Sequence, residues 1–156
     1  MEFLNEKINY DKIKISHIAI GAGLSNDTIR KLIKGEYKDT SLKTTLRLAN
    51  FFECSLDEVL GRKKFEKNSK KLNQNFFSPT TAESSMEAIK YFISTKMENL
   101  GLDIYRFAEH CGLHKNSFIN FIKKNTYHNY IGCNRILAIV DTFDVSLDEL
   151  IGRINH

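Results

Sequence analysis

Residues 26–34, NDTIRKLIK, interleave a polar and mostly cationic row (Asn26, Asp27, Thr28, Arg30, Lys31 and Lys34) with Ile29, Leu32 and Ile33 at helical spacing. A helix of this pattern buries the three apolar residues and turns the row to solvent. Carboxamides and guanidinium groups match base edges in a DNA major groove, and lysines reach phosphates. Just ahead, Ile18, Ala19 and Ala22 form a small apolar stripe, Gly23 supplies positive φ, Leu24 plugs the turn, and Ser25 is a good N-cap. His17 to Gly35 therefore reads as two short helices joined by a tight turn. Two arrangements use these residues: a groove-reading pair, or an αα-hairpin inside a helical bundle.

The surrounding segments must hold this pair. Phe3, Leu4 and Ile8 mark a first helix, and Ile13 and Ile15 follow it. Gly35 stops the second helix of the pair, and EYKDTS (36–41) is an exposed loop. Leu42, Leu46, Leu48, Ala49 and Phe52 mark a fourth helix. Ser55 and Glu58 have capping-box spacing at the start of a fifth, which Gly61 ends. A later capping signal, Thr80 with Glu83 or Ser84 with Glu87, opens a longer helix bearing Ile89, Phe92, Ile93, Met97 and Leu100, closed by Gly101.

The decisive feature is a repeat. Ala108, Gly112 and Leu113 match Ala19, Gly23 and Leu24 at an offset of 89, as Phe118, Phe121 and Ile122 match Ile29, Leu32 and Ile33. SLDELIG (146–152) then repeats SLDEVLG (55–61) at an offset of 91, which puts a two-residue insertion around Tyr127–Ile131. Both halves follow one plan.

The spacing A-(x)3-G-L-(x)4-I, here Ala19, Gly23, Leu24 and Ile29, resembles the helix-turn-helix of the phage-repressor-like (Xre/Cro) family. That resemblance covers both halves and implies an all-α chain of two tandem five-helix, lambda-repressor-like domains, residues 1–61 and 81–156, joined by a basic linker, 62–80. It implies recognition helices at 26–34 and 115–123. Asn26, Asp27, Arg30 and Lys31 would face bases in the first, and Lys115, Asn116 and Asn120 in the second. Ser16, His17, Thr28, Lys34, Lys38, Thr40 and Lys43 would sit at phosphates, with Tyr105, Arg106, His114, Ser117, Lys123 and Tyr127 as their counterparts. The sequence departs from the family pattern at Ile15 and Ile104, where glutamine is common, at Ile119 in place of Arg30, and at Lys124 in place of Gly35.

Charge is unevenly spread. The formal net charge is +4, and residues 62–80 hold six basic groups against one acidic, whereas the flanking parts are near balance. The segment loses helical periodicity and ends near Pro79, so it reads as a solvated tether that can also follow a phosphate backbone, with Phe76 and Phe77 able to dock on a domain. Its 19 residues span roughly 24 Å on average and up to about 63 Å extended, enough for both halves to occupy major grooves roughly 34 Å apart. One chain could then act as a pseudo-dimer on an asymmetric site.

Other chemistries find little support. Cys54, Cys111 and Cys133 are odd in number and lack ligand spacing, which suggests a reducing cytosol and thiols packed as apolar residues. His110, Cys111 and His114 straddle the turn and share no helix face, so no metal is expected. No phosphate loop, nucleophile elbow or zincin motif appears, so neither enzyme activity nor a cofactor is expected. Asp57, Glu58, Asp148 and Glu149 read as helix caps. No signal peptide or membrane span is legible, and a cytoplasmic location is expected.

The expectation is a sequence-specific regulator of transcription, a repressor, from a bacterium or phage, with double-stranded DNA as its partner. The competing reading keeps the scaffold and gives the second domain a protein partner, through dimerisation or inhibition of a defence-system protein, with Ile119, Tyr127 and Tyr130 as the contact.

Overall fold

Helix formation follows the apolar spacing just described, and the turns follow the glycines. The structure, a computed structural model, describes residues 1–62, 81–123 and 132–153. Within these it is helical, with no strand beyond an isolated bridge. The first half comprises α1 (Glu2–Asn9), α2 (Ile15–Gly21), α3 (Asn26–Lys34), α4 (Leu42–Phe51) and α5 (Leu56–Val59). The second comprises α6 (Ala82–Leu100), α7 (Ile104–His110), α8 (Lys115–Lys123), α9 (Cys133–Phe143) and α10 (Leu147–Leu150). Residues 63–80, with Phe76, Phe77, Pro79 and Thr80, lie outside the described residues. So do Lys124, Tyr127, Tyr130 and the expected insertion.

Each pair of short helices is held by the same turn. Gly23 and Gly112 adopt φ of 62° and 63°. The following amides, of Leu24 and Leu113, donate to the carbonyls of Ala19 and Ala108 at 2.8 and 2.7 Å. A Cβ built on either glycine meets nothing within 4 Å, so the backbone angle alone asks for glycine there. Gly21 differs: a Cβ there would run into the Phe51 ring, and the missing side chain lets α2 close on α4.

The two cores use different side chains at equivalent places. Ile18 and Ile29 are fully buried in the first half; Phe107 and Phe118 take those positions in the second and stack at 5.5 Å. Leu4, Leu48 and Leu56 continue into Ile89, Ile93, Ile136 and Leu147 as one apolar cluster, so the halves share a core.

Two expectations need correction. The N-cap of α6 is Thr81, neither Thr80 nor Ser84: the Thr81 hydroxyl accepts from the Ser84 amide, and the Ser84 hydroxyl accepts from the Thr81 amide. Serine thus returns the bond that a glutamate was expected to make. Arg62, assigned to the linker, is instead a structural residue, bonded to Asp57 of its own half and Asp141 of the other.

The seam between the halves is reciprocal. The Asp57 carboxylate accepts from the Leu147 amide at 2.9 Å, and the Asp148 carboxylate accepts from the Leu56 amide at 2.9 Å. Arg153 donates to Asp148 and Asn50, as Arg62 does to Asp57 and Asp141; every one of these pairs of equivalents is offset by 91. Ser41 and Gly132, also equivalent, pair with each other in the antiparallel bridge. Acidic caps at 57 and 148 were expected, but each serves the opposite half's helix.

Candidate nucleic-acid interface

The outward row begins with the cap. The Ser25 hydroxyl accepts from the Thr28 amide at 3.0 Å and starts α3 directly after the Gly23 turn. Gly35 ends it at φ 70°. Ile29 and Leu32 are buried on the inner side, which leaves Asn26, Asp27, Arg30 and Lys34 exposed and Lys31 and Thr28 half-exposed. Lys31 bonds Asp27 at 2.8 Å one turn back, and that hydrogen bond and its charge raise the lysine's pKa. Arg30 has no ion-pair partner among the described residues. Arg47 on α4 donates to the Gly23 carbonyl at 2.8 Å and braces the turn; sequence reasoning passed over it, although its position one face away from Leu46 and Ala49 is readable.

Around this row, Ser16, His17, Lys38 and Lys43 are exposed, and the His17 ring meets Phe51 edge-on. Thr40 is half-buried, and its carbonyl accepts from the Cys133 amide, so its backbone belongs to the seam. Lys38 also touches the seam, through a carbonyl that faces Asn134.

In the second half Lys115, Asn116 and Asn120 are exposed on α8, with Phe118 buried beneath them. Tyr105, Arg106, His114 and Lys123 are exposed and Ser117 half-exposed; Tyr127 lies outside the described residues. Lys115 approaches Glu109 at 3.6 Å. Ile119 is half-buried, whereas Arg30 at the equivalent place in α3 is exposed. Asp103 caps α7 through the amides of Tyr105 and Arg106, whereas Lys14 gives α2 no such cap.

Other residues that sequence reasoning missed lie at the seam. Asp39 accepts from the Asn134 amide at 3.1 Å and so caps α9, whose own N-cap, Gly132, has no side chain to do it. Asn50, Arg62, Asp141 and Arg153 complete the network. The 91-residue offset of Asn50–Asp57–Arg62 to Asp141–Asp148–Arg153 was the available signal. Burial pushes the Asp148 carboxyl up to about 6, against the opposing pull of Arg153, and raises that of Asp57. The three cysteines are buried free thiols; burial pushes Cys54 to about 12 and Cys133 to about 11, which keeps them protonated and unreactive. No helix among the described residues is long and apolar enough to cross a membrane.

Residues 4–64 match the family model of the Cro/C1-type HTH DNA-binding domain. The chain is 31% identical over 65 residues to an uncharacterized HTH-type transcriptional regulator of Rickettsia prowazekii, across 40% of this chain and 71% of that protein. It is also 31% identical over 65 residues to one of Rickettsia conorii, across 40% of this chain and 60% of that protein. No solved structure matches the chain.

Proposed function

Because this chain belongs to the Cro/C1-type helix-turn-helix DNA-binding family, we propose that it is a sequence-specific regulator of transcription reading duplex DNA with α3 and, in its second half, with α8. The acting units in this reading are two tandem helix-turn-helix domains, residues 1–61 and 81–156. The observation that carries it is the row Asn26, Asp27, Arg30 and Lys31, turned to solvent on a helix whose other side is buried. Arg30 fits the two acceptors of guanine, Asn26 those of adenine, and Asp27 holds Lys31 until a more favourable anionic or base partner replaces it. Ser16, His17, Thr28, Lys34, Lys38, Thr40 and Lys43 lie toward phosphates. On α8, Lys115, Asn116 and Asn120 take the base-reading role, with Tyr105, Arg106, His114, Ser117 and Lys123 behind them. In this reading the regulation is repression, by occupancy of a promoter that polymerase would otherwise reach.

The test is a gel shift of the full chain on a duplex selected from a random pool. Arg30→Ala with Lys31→Ala abolishes the preference for that duplex and leaves the helical circular dichroism unchanged; retained preference removes α3 from the role. Binding that fails to weaken steeply with salt would equally count against a phosphate-dominated contact.

One observation favours a second reading, in which the second half serves protein contact. Ile119 stands where Arg30 stands in the first half, so the base-facing part of α8 has one cation, Lys115, in place of two. Asn116→Ala with Asn120→Ala separates the two: a shortened footprint assigns α8 to DNA, an unchanged one to another role.

A further inference from the structure

We infer that a single copy of this chain spans a whole duplex site made of two unlike half-sites, with no second copy required. The inference rests on the DNA-binding reading above and adds to it the stoichiometry and the make-up of the site.

Three observations lead there. The first is the reciprocity of the seam. When residue i of one unit bonds j of the other, and j of the first bonds i of the second, the contact is isologous, the kind that makes two-fold dimers of identical chains. Here Asp57 bonds Leu147 while Asp148 bonds Leu56, and Arg62 reaches Asp141 while Arg153 reaches Asn50. The surface a second copy would need is already buried within one chain: Leu56, Asp57, Leu147, Asp148 and Arg153 are all fully covered.

The second is where the approximate axis runs. Ser41 and Gly132 are equivalent residues paired with each other, so the axis passes between them. Rotation by half a turn leaves height along its axis unchanged, so α3 and α8 stand at one level on either side of the bridge. Seven Cα-to-Cα steps separate Lys34 from Ser41 and nine separate Lys123 from Gly132, so the two helix ends lie within about 25 and about 32 Å of the axis. Both ceilings exceed half of the roughly 34 Å between successive major-groove faces.

The third is that the two rows differ. Position by position, Asn26 corresponds to Lys115, Asp27 to Asn116, Arg30 to Ile119 and Lys31 to Asn120. A guanidinium favours guanine, whereas carboxamides favour adenine and an isoleucine meets the thymine methyl. A symmetric dimer reads the same half-site twice; this chain cannot.

The experiment uses the full chain and duplexes selected from a random pool at low salt, with mass measured by light scattering and contacts by footprinting. One chain per duplex, a non-palindromic selected sequence and protection of two successive major grooves are expected. Arg30→Ala then relaxes base preference in one half-site only, and Asn116→Ala with Asn120→Ala relaxes it in the other only. Two chains on a palindrome, or protection of one groove, overturns this inference and leaves DNA reading by α3 standing. Failure to bind any duplex overturns both.

Discussion

Asp57 and Asp148 exchange helix caps: each carboxylate holds the first amide of the other's short helix, at 2.9 Å, across 90 and 92 residues of chain. In both, the remaining oxygen takes an arginine from its own half, Arg62 or Arg153. A carboxylate at a helix N-terminus satisfies an orphan amide and opposes the partial positive charge there. Placing it on the facing helix makes two local signals into one long-range joint, and the proposed DNA-reading helices inherit their mutual placement from that joint.

The joint is not symmetric in its sensitivity. Arg153 and Asp148 have side chains 2% and 1% exposed, whereas Arg62 is 14% exposed and keeps Asp141 as a second carboxylate. Asp148→Ala takes the carboxylate from a buried guanidinium whose bonds to Asn50 and the Cys54 carbonyl are to neutral groups, and should cost about 3–5 kcal/mol. Asp57→Ala loses mainly a cap and should cost about 1–2 kcal/mol. Urea denaturation of the two variants checks the order; equal costs would deny the difference in burial its role.

The seam also sets a pH dependence. Burial raises the Asp148 carboxyl to about 6 from 3.8, and that of Asp57 moves the same way. The folded chain therefore holds the Asp148 proton more tightly than the unfolded chain does. Its stabilising contribution is full below the unfolded value and is lost as pH rises through the folded one. The stability of the native chain minus that of Asp148→Asn should fall between about pH 4 and about pH 6 and then level off. A difference that climbs over that interval would show the arginine, not burial, to dominate.

Of two glycines two residues apart, only one should respond to a change in the background. Gly23→Ala suffers only from its left-handed backbone, about 1–2 kcal/mol, because nothing crowds its Cβ. Gly21→Ala collides with the Phe51 ring and should cost about 1–3 kcal/mol. In a Phe51→Leu background the Gly21→Ala cost disappears and that of Gly23→Ala persists, as read by thermal melts. Rescue of both, or of neither, would contradict the assignment.

Lys34 and Lys43 are exposed beside α3 and at the start of α4. Their replacement by alanine should weaken binding to all duplexes alike and lower the slope of log affinity against log salt by about 2. An altered base preference in the double variant would move these lysines from phosphates to bases.

Much of this protein was legible because it is local. Apolar spacing gave α3 its buried Ile29 and Leu32, Ser25 and Ser55 announced their helices, and Gly23 and Gly112 marked turns whose hydrogen bonds span only five residues. The 89- and 91-residue offsets revealed one plan used twice, since repetition needs no knowledge of contacts. Which partner each cap serves was settled by the tertiary structure alone. Ser-Leu-Asp reads identically whether its aspartate turns to its own helix or to the facing one, and only the packing of α5 on α10 selects the latter. Arg62 looked like the first cation of a tether, because its two carboxylates, five and 79 residues away, are brought together by folding and by no pattern along the chain. Helices answer to neighbours within a turn; the seam answers to the shared core, whose apolar burial decides which polar groups must find one another away from water.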